Sequence, residues 1–379
     1  MLSAVRSLGP VSRAELARYL GLRPSSVTGF VRGLIGEGIV TEVGQGGSNG
    51  GRPPVMLDID RRDNYAIGVT LEPRGITAAV VRWDGAIISR VCSSVVSTAS
   101  TAAALESAAI AVAKEAVAAA NVDSARVRGI GVGVSAMVDP SANEVLFSST
   151  FSTAGRFRLD GLAEHFGKPV HVEDIAYLMA LGERWFVYPK DDRPLVFMLI
   201  SSGTCGAVLE PWAPVGSMRF AAEFGHMVVD ANGALCGCGR RGCLESSLSE
   251  IALVATANRL LAPSAPGPLS LADVGAMVRA GNQVAQRIVA VAAQQLGIAV
   301  ANLASIFAPA LFVIGGSVIE AWGEWLLPGP DSGVLSQVMD YLRGRVEIVP
   351  SRLGENAPLL GSAARVLEAF FAAPQMSLA

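Results

Sequence analysis

The sequence predicts an α/β protein in two parts, a small N-terminal winged helix-turn-helix and a larger, duplicated α/β domain. A pair of amphipathic helices followed by two short strands occupies the first 58 residues. The rest of the chain runs twice through a strand meander with crossover helices. At 379 residues and 51% hydrophobic content, the chain is long and apolar enough for more than one buried core. We therefore expect one domain over residues 1–58 and a second over 59–379.

The helix-turn-helix is predicted from its capping residues and its apolar spacing. Ser12 and Glu15 form a capping-box pattern for a helix that should end before Gly21. A second helix should begin near Pro24, after a preceding helix over residues 2–8. The apolar positions of the second helix recur at helical spacing: Val27, Val31, Leu34 and Ile35. Two strands, at 39–43 and 55–57, then enclose a glycine-rich wing.

Charge in this first segment differs in sign from that of the whole chain. Residues 1–54 hold six arginines and three glutamates, a local balance of +3, whereas the whole chain carries −3. A local basic surface on a helix-turn-helix is what DNA binding requires. A protein-binding or dimerisation domain is the alternative. The candidate DNA-binding residues are Arg23, Ser25, Ser26, Thr28, Arg32 and Arg52.

The larger domain should contain two similar lobes. The first lobe is expected over about 59–175 together with the C-terminal helix, and the second over about 176–360. Predicted strands lie at 65–70, 75–82, 86–96, 127–134, 170–173 and 195–200, and predicted helices at 97–120 and 175–185. This order indicates a duplicated α/β unit.

A cysteine-rich stretch near the middle of the chain predicts a metal site. Cys236, Cys238 and Cys243 lie within eight residues, and His226 precedes Cys236 by ten. Three thiolates and one imidazole complete a tetrahedral set for Zn²⁺, with no position left open for catalysis. A disulfide with one spare thiol is the alternative, and it belongs to an oxidising compartment. Cys92 and Cys205 are not expected to take part.

The same stretch resembles the signature of a known family. Glu223-Phe-Gly-His226, followed by Cys236-Gly-Cys238-Gly-Arg-Arg-Gly-Cys243-Leu-Glu245, is similar to the motif of the ROK family (repressors, open reading frames, kinases). The resemblance extends over essentially the whole chain. It implies two ribonuclease H-like lobes, as in sugar kinases and actin, behind a DNA-binding domain. It also implies a transcriptional regulator, a homodimer or homotetramer, that binds a double-stranded operator and responds to a sugar or sugar phosphate. In such repressors the linker at Arg52 can reach the minor groove.

The resemblance also suggests which residues contact a sugar. Glu223, His226 and Glu245 match residues that contact sugar hydroxyls in relatives, and Asp174 matches the general base of the kinases. Two further candidates, Glu173 and Thr150, occupy positions at which the family has asparagine. For Asp174 the alternative role is a helix N-cap.

ATP-dependent catalysis is not expected from the first phosphate loop. ROK kinases carry Asp-x-Gly-Gly-Thr there, whereas this chain reads Thr70-Leu-Glu72-Pro73-Arg. Glu72 would repel phosphate, and Pro73 has no amide hydrogen. The alternatives are a regulator whose sugar pocket has decayed and which answers to another ligand or a protein partner, and, less favoured, an active kinase.

Location follows from two negative observations. The N-terminus has no basic-then-apolar signal pattern. The apolar region from Ile288 to Ile314 is interrupted by Gln294, Gln295 and Asn302, so it is not expected to span a membrane. We expect a soluble, cytoplasmic protein.

Overall fold

The chain folds into two compact units in a computed structural model. The first comprises Met1–Glu173 and Ser362–Ala379, and the second comprises Asp174–Gly361. The structure describes residues 1–47, 53–72, 75–93, 101–148, 151, 154–210, 221–261, 267–308, 310–327 and 333–372.

The first unit begins with the helix pair that the sequence predicts. Its elements are α1 (Leu2–Leu8), β1 (Val11–Ser12), α2 (Arg13–Leu20), α3 (Pro24–Gly36), β2 (Val40–Gln45) and β3 (Val55–Ile59). The capping box is formed, since the Glu15 amide donates to Ser12 Oγ and the Ser12 amide donates to Glu15 Oε2 at 2.8 Å. Gly21 ends α2 in the left-handed conformation. The three strands form a sheet of order β1-β3-β2.

The remainder of the first unit is a five-stranded sheet with helices. Its strands and helices are β4 (Tyr65–Glu72), β5 (Gly75–Arg82), β6 (Ile87–Cys92), α4 (Ala102–Ala120), β7 (Val127–Val134), β8 (Met137–Asp139), β9 (Glu144–Phe147), β10 (Phe157–Arg158), α5 (Asp160–Phe166) and β11 (Val170–Asp174). The large sheet has the order β11-β7-β4-β5-β6, and a small sheet has the order β10-β9-β8. Asp174, the last residue of β11, is the first residue of the second unit.

The long helix after β6 starts later than predicted. Thr101 caps α4 by accepting from the Ala104 amide, so the helix begins at Ala102 instead of Ser97. Residues 94–100 lie outside the described part of the chain. The predicted strand to Val96 is described only as far as Cys92.

The second unit repeats the plan of the first. Its elements are α6 (Ile175–Gly182), β12 (Leu195–Ile200), β13 (Thr204–Leu209), β14 (Ala221–Ala222), α7 (Glu245–Leu248), α8 (Glu250–Leu261), α9 (Leu271–Arg279), α10 (Gln283–Phe307), β15 (Ala310–Gly315), α11 (Ser317–Leu326), α12 (Gly333–Ser336), α13 (Asp340–Arg343) and β16 (Val346–Pro350). The sheet order is β14-β13-β12-β15-β16. In each unit an antiparallel hairpin lies beside a parallel strand, β4–β5 beside β7 and β12–β13 beside β15. The predicted duplication is confirmed.

The first helix of this unit changes its hydrogen-bonding pattern, and the last helix of the chain belongs to both units. The helix predicted over 175–185 is α-helical only to Gly182 and continues as a π-helical turn over Glu183–Val187. The buried Glu183 carboxylate accepts from Ser351 Oγ and from the amides of Arg352 and Leu353, which explains its position inside the unit. The last helix, α14 (Ala357–Ala372), begins in the second unit and ends in the first.

One described helix is long and apolar enough to cross a membrane by length and composition alone. This is α10, and half of its most apolar window is buried in the protein. Its buried side chains, including Ile288, Leu296 and Val300, belong to the hydrophobic core of the second unit. Core helices pass the same test, so α10 is weak evidence for a membrane span.

Candidate metal centre and ligand site

The metal-binding candidates lie on a compact loop between β14 and α7. His226 ends a single 3-10 turn that begins at Phe224, and the three cysteines follow in a tight series of turns. The Cys236 amide donates to the Arg240 carbonyl at 2.8 Å, which folds the chain back on itself. Gly242 has φ 72°, and a Cβ atom there would overlap the Asp230 carbonyl, so this turn requires glycine.

Four ligand atoms converge in this loop. One atom from each of His226, Cys236, Cys238 and Cys243 lies within 4.8 Å of all the others. The Cys236 Sγ–His226 Nδ1 and Cys238 Sγ–Cys243 Sγ distances are both 3.6 Å. A tetrahedral zinc with Zn–S near 2.3 Å and Zn–N near 2.0 Å sets its ligand atoms about 3.5–3.8 Å apart. The donor set and its spacing therefore fit Zn²⁺. All five cysteines are free thiols, so the disulfide alternative does not occur in the structure.

The three thiols differ in environment. Hydrogen bonds from the backbone and guanidinium of Arg240 lower the pKa of Cys238 to about 6. Burial raises the pKa of the Cys243 thiol to about 11, with hydrogen bonds to the neighbouring thiols adding to the rise. A coordinated metal ion would deprotonate such thiols outright. Arg240 is therefore positioned to offset the negative charge of a thiolate cluster.

His226 joins the metal loop to a carboxylate. Its Nδ1 faces Cys236, and its Nε2 lies 3.9 Å from Glu223 Oε2. Arg240 Nη2 donates to the His226 carbonyl at 3.0 Å, which fixes the backbone at the same point. A metal on Nδ1 would leave the proton on Nε2, directed towards Glu223.

Three of the predicted ligand-binding carboxylates surround one strand of the second unit. Asp174, Glu223 and Glu245 all lie close enough to Cys205 on β13 for their negative charges to raise its thiol pKa, although burial is the larger cause. Glu245 Oε2 also accepts from the Thr204 amide at 2.9 Å. The sequence did not single out Cys205, because the local pattern does not show that these three carboxylates lie near it.

The remaining sugar candidates have different environments. Asp174 caps α6, its Oδ1 accepting from the amides of Ala176 and Tyr177 at 2.8 and 3.2 Å. The N-cap role is therefore present, and it occupies one carboxylate oxygen. Glu173 is only 2% exposed. Thr150 lies outside the described residues.

The candidate DNA-binding residues share one surface. Arg23, Ser25, Ser26, Thr28 and Arg32 are all exposed at the start or on the outer side of α3, whereas Val27 and Val31 are fully buried. The Thr28 hydroxyl donates to the Pro24 carbonyl at 2.9 Å, and its oxygen can still accept a hydrogen bond. A Cβ atom on Gly29 or Gly33 would meet no other atom, so the backbone of α3 is bare there. Arg52 lies outside the described residues.

Two residues of the first phosphate loop, Thr70 and Glu72, lie on β4. Thr70 is 1% exposed within β4, and Glu72 ends that strand. Pro73 lies outside the described residues. The two described side chains, a buried hydroxyl and a carboxylate, provide no positive charge for a phosphate.

Comparison with known proteins agrees with this architecture. The ROK family model matches residues 66–369. The xylose repressor of Bacillus spizizenii is 28% identical over 383 residues, covering 98% of this chain and 94% of the relative. A solved ROK family transcriptional regulator, described as a homologue of the Escherichia coli MLC protein, superposes with a TM-score of 0.83 at 22% identity and covers 98% of this chain and 95% of that one. A Streptomyces griseus ROK glucokinase in complex with glucose and AMPPNP gives a TM-score of 0.66 at 27% identity, covering 80% of this chain and all of that one.

The fold is that of a protein with two α/β units, the first of which begins with a helix pair and a three-stranded sheet. The chain belongs to the ROK family. The kinase leaves about a fifth of this chain uncovered, whereas the repressor and the solved regulator match nearly all of it.

Proposed function

We propose that this protein is a DNA-binding transcriptional regulator of carbohydrate metabolism whose affinity for its operator is changed by a sugar or sugar phosphate. The observation that carries the proposal is the exposed polar face of α3, placed ahead of a complete pair of ROK lobes. The full-length match to a protein named xylose repressor supports it. We propose repression as the mode of action, and a cytoplasmic location follows from the DNA target.

DNA would be bound by the first 58 residues. Ser26, Thr28 and Arg32 would face the major groove, while Arg23 and Ser25 lie where the helix N-terminus approaches phosphates. Arg52 on the wing would contact the backbone or minor groove, because arginine suits a narrow groove. Two half-sites on DNA call for two copies of the domain, so we propose a homodimer or homotetramer.

The effector would be a polyol bound near β13. Carboxylates accept hydrogen bonds from vicinal hydroxyls, and an imidazole that holds a metal through Nδ1 donates through Nε2, so Glu223, Glu245 and His226 suit a sugar. Asp174 has one oxygen committed to its capping role, and Glu173 and Thr150 complete the candidate set. D-xylose and D-glucose are the first sugars to test, since a relative is named for xylose and a related kinase holds glucose.

Zinc would be structural. His226, Cys236, Cys238 and Cys243 would hold one ion per chain, fixing a loop that carries Glu223 at one end and Glu245 at the other. The ion would supply no chemistry of its own, because all four positions are filled by protein. We propose that the protein is not an enzyme, given Thr70 and Glu72 in the phosphate loop.

DNA binding by α3 can be tested by removing two of its positive charges. Arg23→Gln/Arg32→Gln should bind a fragment of the protein's own promoter region at least tenfold more weakly than the parent, with a shallower dependence on salt. Arg259→Gln/Arg287→Gln removes the same number of charges at exposed positions of α8 and α10, so it is the matched control and should bind as the parent does. Equal loss in both variants, or in neither, would count against the assignment.

A regulator with a decayed sugar pocket is the second candidate. It is favoured by the replacement of two family asparagines, at Thr150 and Glu173, and by the burial of Glu173. Calorimetry with D-xylose, D-glucose and their phosphates separates the two. DNA binding without any sugar binding would support the decayed pocket and leave a protein partner or another metabolite as the signal.

A further inference from the structure

The C-terminal end of α3 is held by two arginines from the strand region of the same unit. Arg128 Nη2 donates to the Glu37 carbonyl at 2.9 Å, and Arg126 Nη1 donates to the same oxygen at 3.2 Å. Glu37 is the C-cap residue of α3. Cationic donors at the carboxyl end of a helix are favoured both by the unpaired carbonyls and by the helix dipole.

A buried asparagine extends this contact. Asn64 is fully buried, and its Nδ2 donates to the carbonyls of Gly38 and Asp60 at 2.7 and 2.9 Å. Its Oδ1 accepts from Arg128 Nε at 2.8 Å. A buried side-chain amide with its acceptor and both donor contacts satisfied is held in one orientation. The segment after α3 is thereby joined to Arg128 through the Asn64 side chain.

Other groups hold the two guanidinium groups in place. Arg126 Nε pairs with Asp63 at 3.4 Å, and Arg128 lies 5.9 Å from the centre of the Phe370 ring on α14. Partial burial lowers the pKa of the Arg128 guanidinium. We call Arg126, Arg128 and Asn64 the α3 clamp.

The α3 clamp lies at one end of β7, a strand that neighbours a candidate sugar residue on β11. Arg126 directly precedes β7 and Arg128 is its second residue, while Val134 ends it immediately before Ser135. Seven of the eight β7 residues are buried, and the strand pairs with β4 in parallel register. A buried strand in a sheet moves as a body, because packed interiors transmit displacement instead of absorbing it. Glu173, one of the proposed sugar residues, lies on β11, which neighbours β7 in the same sheet.

We propose that Arg126 and Arg128 are positioning residues that couple the sugar-dependent state of the first lobe to the orientation of α3, and so to DNA affinity. The inference rests on the proposed regulator function and deepens it. Hydrogen bonds of 2.9–3.2 Å weaken steeply with distance and angle, so a shift of β7 by about 1 Å would release or reorient the Glu37 contact. A sugar that favours one position of β7 would then favour one position of α3.

Gly38 supplies an independent test of the contact. Its φ is 66°, and a Cβ atom added there would overlap Nη1 and Cζ of Arg126. Gly21, at the end of α2, has nearly the same φ, 63°, and a Cβ there would meet nothing within 4 Å. Gly38→Ala and Gly21→Ala therefore share the backbone strain, and only Gly38→Ala displaces Arg126.

The experiment compares the full-length parent with Arg126→Met/Arg128→Met and Gly38→Ala, with Arg158→Met and Gly21→Ala as controls. Amide hydrogen exchange is followed at Glu37, Gly38 and Ile39, whose amides bond to α3 carbonyls. Affinity for a promoter fragment is measured with and without D-xylose or D-glucose, and sugar affinity is measured by calorimetry. Arg158 is an exposed arginine of the same unit, paired with Asp160.

We expect both clamp variants to bind sugar within twofold of the parent, while the sugar-induced change in DNA affinity shrinks at least fivefold. Exchange at the three amides should rise about tenfold. Arg158→Met should match the parent in all three readouts, and Gly21→Ala should keep the parent's exchange at these amides and its relative sugar response. A clamp variant that keeps the parent's full sugar response overturns the proposal, and so does an equal loss in Gly21→Ala and Gly38→Ala.

Failure of the proposed function is distinguishable. If the parent binds DNA but neither sugar, amide exchange and DNA affinity measured without sugar test whether the clamp positions α3. Faster exchange with at least fivefold altered DNA affinity in both clamp variants, and not in the controls, supports the coupling. Parent-like exchange and DNA affinity overturn it.

Discussion

At the scale of single residues, the three cysteines among the candidate metal ligands differ in exposure. Cys236 and Cys243 are 5% and 0% exposed, whereas Cys238 is exposed and faces Arg240. The buried pair is packed into the loop, so its replacement would disturb packing as well as metal binding. Cys238 is the ligand whose replacement reports most directly on the ion.

Cys238→Ser should lose zinc and lower the stability of the second unit. Three ligands remain, and the loop loses the bond that closes it. A loss of about 2 kcal/mol would lower Tm by roughly 4–8 °C for a unit of this size. Metal analysis and calorimetric melting of parent and variant measure both effects. Cys92→Ser is the control, and one zinc bound equally by parent, variant and control would contradict the ligand assignment.

Glu245→Gln should weaken sugar binding while leaving the fold intact. The amide oxygen of glutamine can still accept from the Thr204 amide, so the contact with β13 survives. A sugar hydroxyl would lose a charged acceptor, a change of about 1.5–3 kcal/mol or roughly 10–100-fold in affinity. Calorimetry with D-xylose and D-glucose gives the affinity, and melting gives the stability. Glu324→Gln, at an exposed ion pair, is the control, and a parent-like affinity would place the pocket elsewhere.

The convergence of the candidate metal ligands was predictable because they are close together in the chain. His226 and the cysteines span 18 residues, so local spacing alone predicts their convergence. The carboxylates around Cys205 come from three separate elements, and family resemblance, not spacing, indicated them. The sequence left two roles open for Asp174, a sugar contact and a helix N-cap. The structure shows that it accepts from the amides of Ala176 and Tyr177, and a sequence cannot show which amides an aspartate contacts.

At the scale of elements, the N-terminal helix pair depends on local capping. Ser12 accepts from the Glu15 amide, and Glu15 accepts from the Ser12 amide and hydroxyl. These contacts fix the start of α2, which packs on α3. The capping box therefore contributes to the orientation of α3, because α3 packs on α2.

Ser12→Ala should destabilise α2 by about 1 kcal/mol, the usual cost of removing an N-cap hydroxyl. Urea unfolding monitored by circular dichroism gives the difference. Ser7→Ala removes an exposed hydroxyl that only donates to the Ser3 carbonyl, so it serves as the control and should be near neutral. Equal stability of Ser12→Ala and the parent would show that the box is not formed in solution.

The same box predicts a pH dependence. Hydrogen bonds from the Ser12 amide and hydroxyl lower the pKa of Glu15 below its ordinary value of about 4.3. A carboxylate with a depressed folded-state pKa contributes stability above its unfolded value and loses it as pH falls through the folded value. The stability gap between parent and Ser12→Ala should therefore narrow between pH 6 and pH 3. A gap that widens on acidification would contradict this sign.

The bounds of helices and strands were predicted closely where the local sequence marks their ends, and less closely where they depend on distant contacts. The bounds of α1 and β12 agree with the sequence analysis because apolar runs and breakers mark both ends. The start of α4 was wrong, because Ser97 and Thr101 are both acceptable caps and only the structure shows which one bonds. The π-helical turn after Gly182 and the α3 clamp depend on contacts with residues far along the chain, which no local pattern contains.

At the scale of the whole molecule, the ROK lobes are expected to bind sugar without phosphorylating it. Thr70 replaces the aspartate of the kinase loop and is buried, and Glu72 would repel phosphate. A coupled assay with ATP and common hexoses or D-xylose should show no turnover above background. Turnover of about 1 s⁻¹, the low end of ordinary enzymes, would reverse this prediction.

The central claim is that one molecule links a sugar in its ROK lobes to DNA at α3. Linkage requires that a sugar which lowers DNA affinity by some factor be itself bound more weakly, by the same factor, when DNA is present. The direct measurement is a fluorescence anisotropy titration of a promoter fragment with and without saturating sugar, paired with calorimetry of the sugar with and without DNA. We predict equal factors of about 5–150 in the two titrations for at least one of D-xylose, D-glucose and their phosphates. DNA affinity that no sugar changes, in a protein that binds the sugar, would contradict the account.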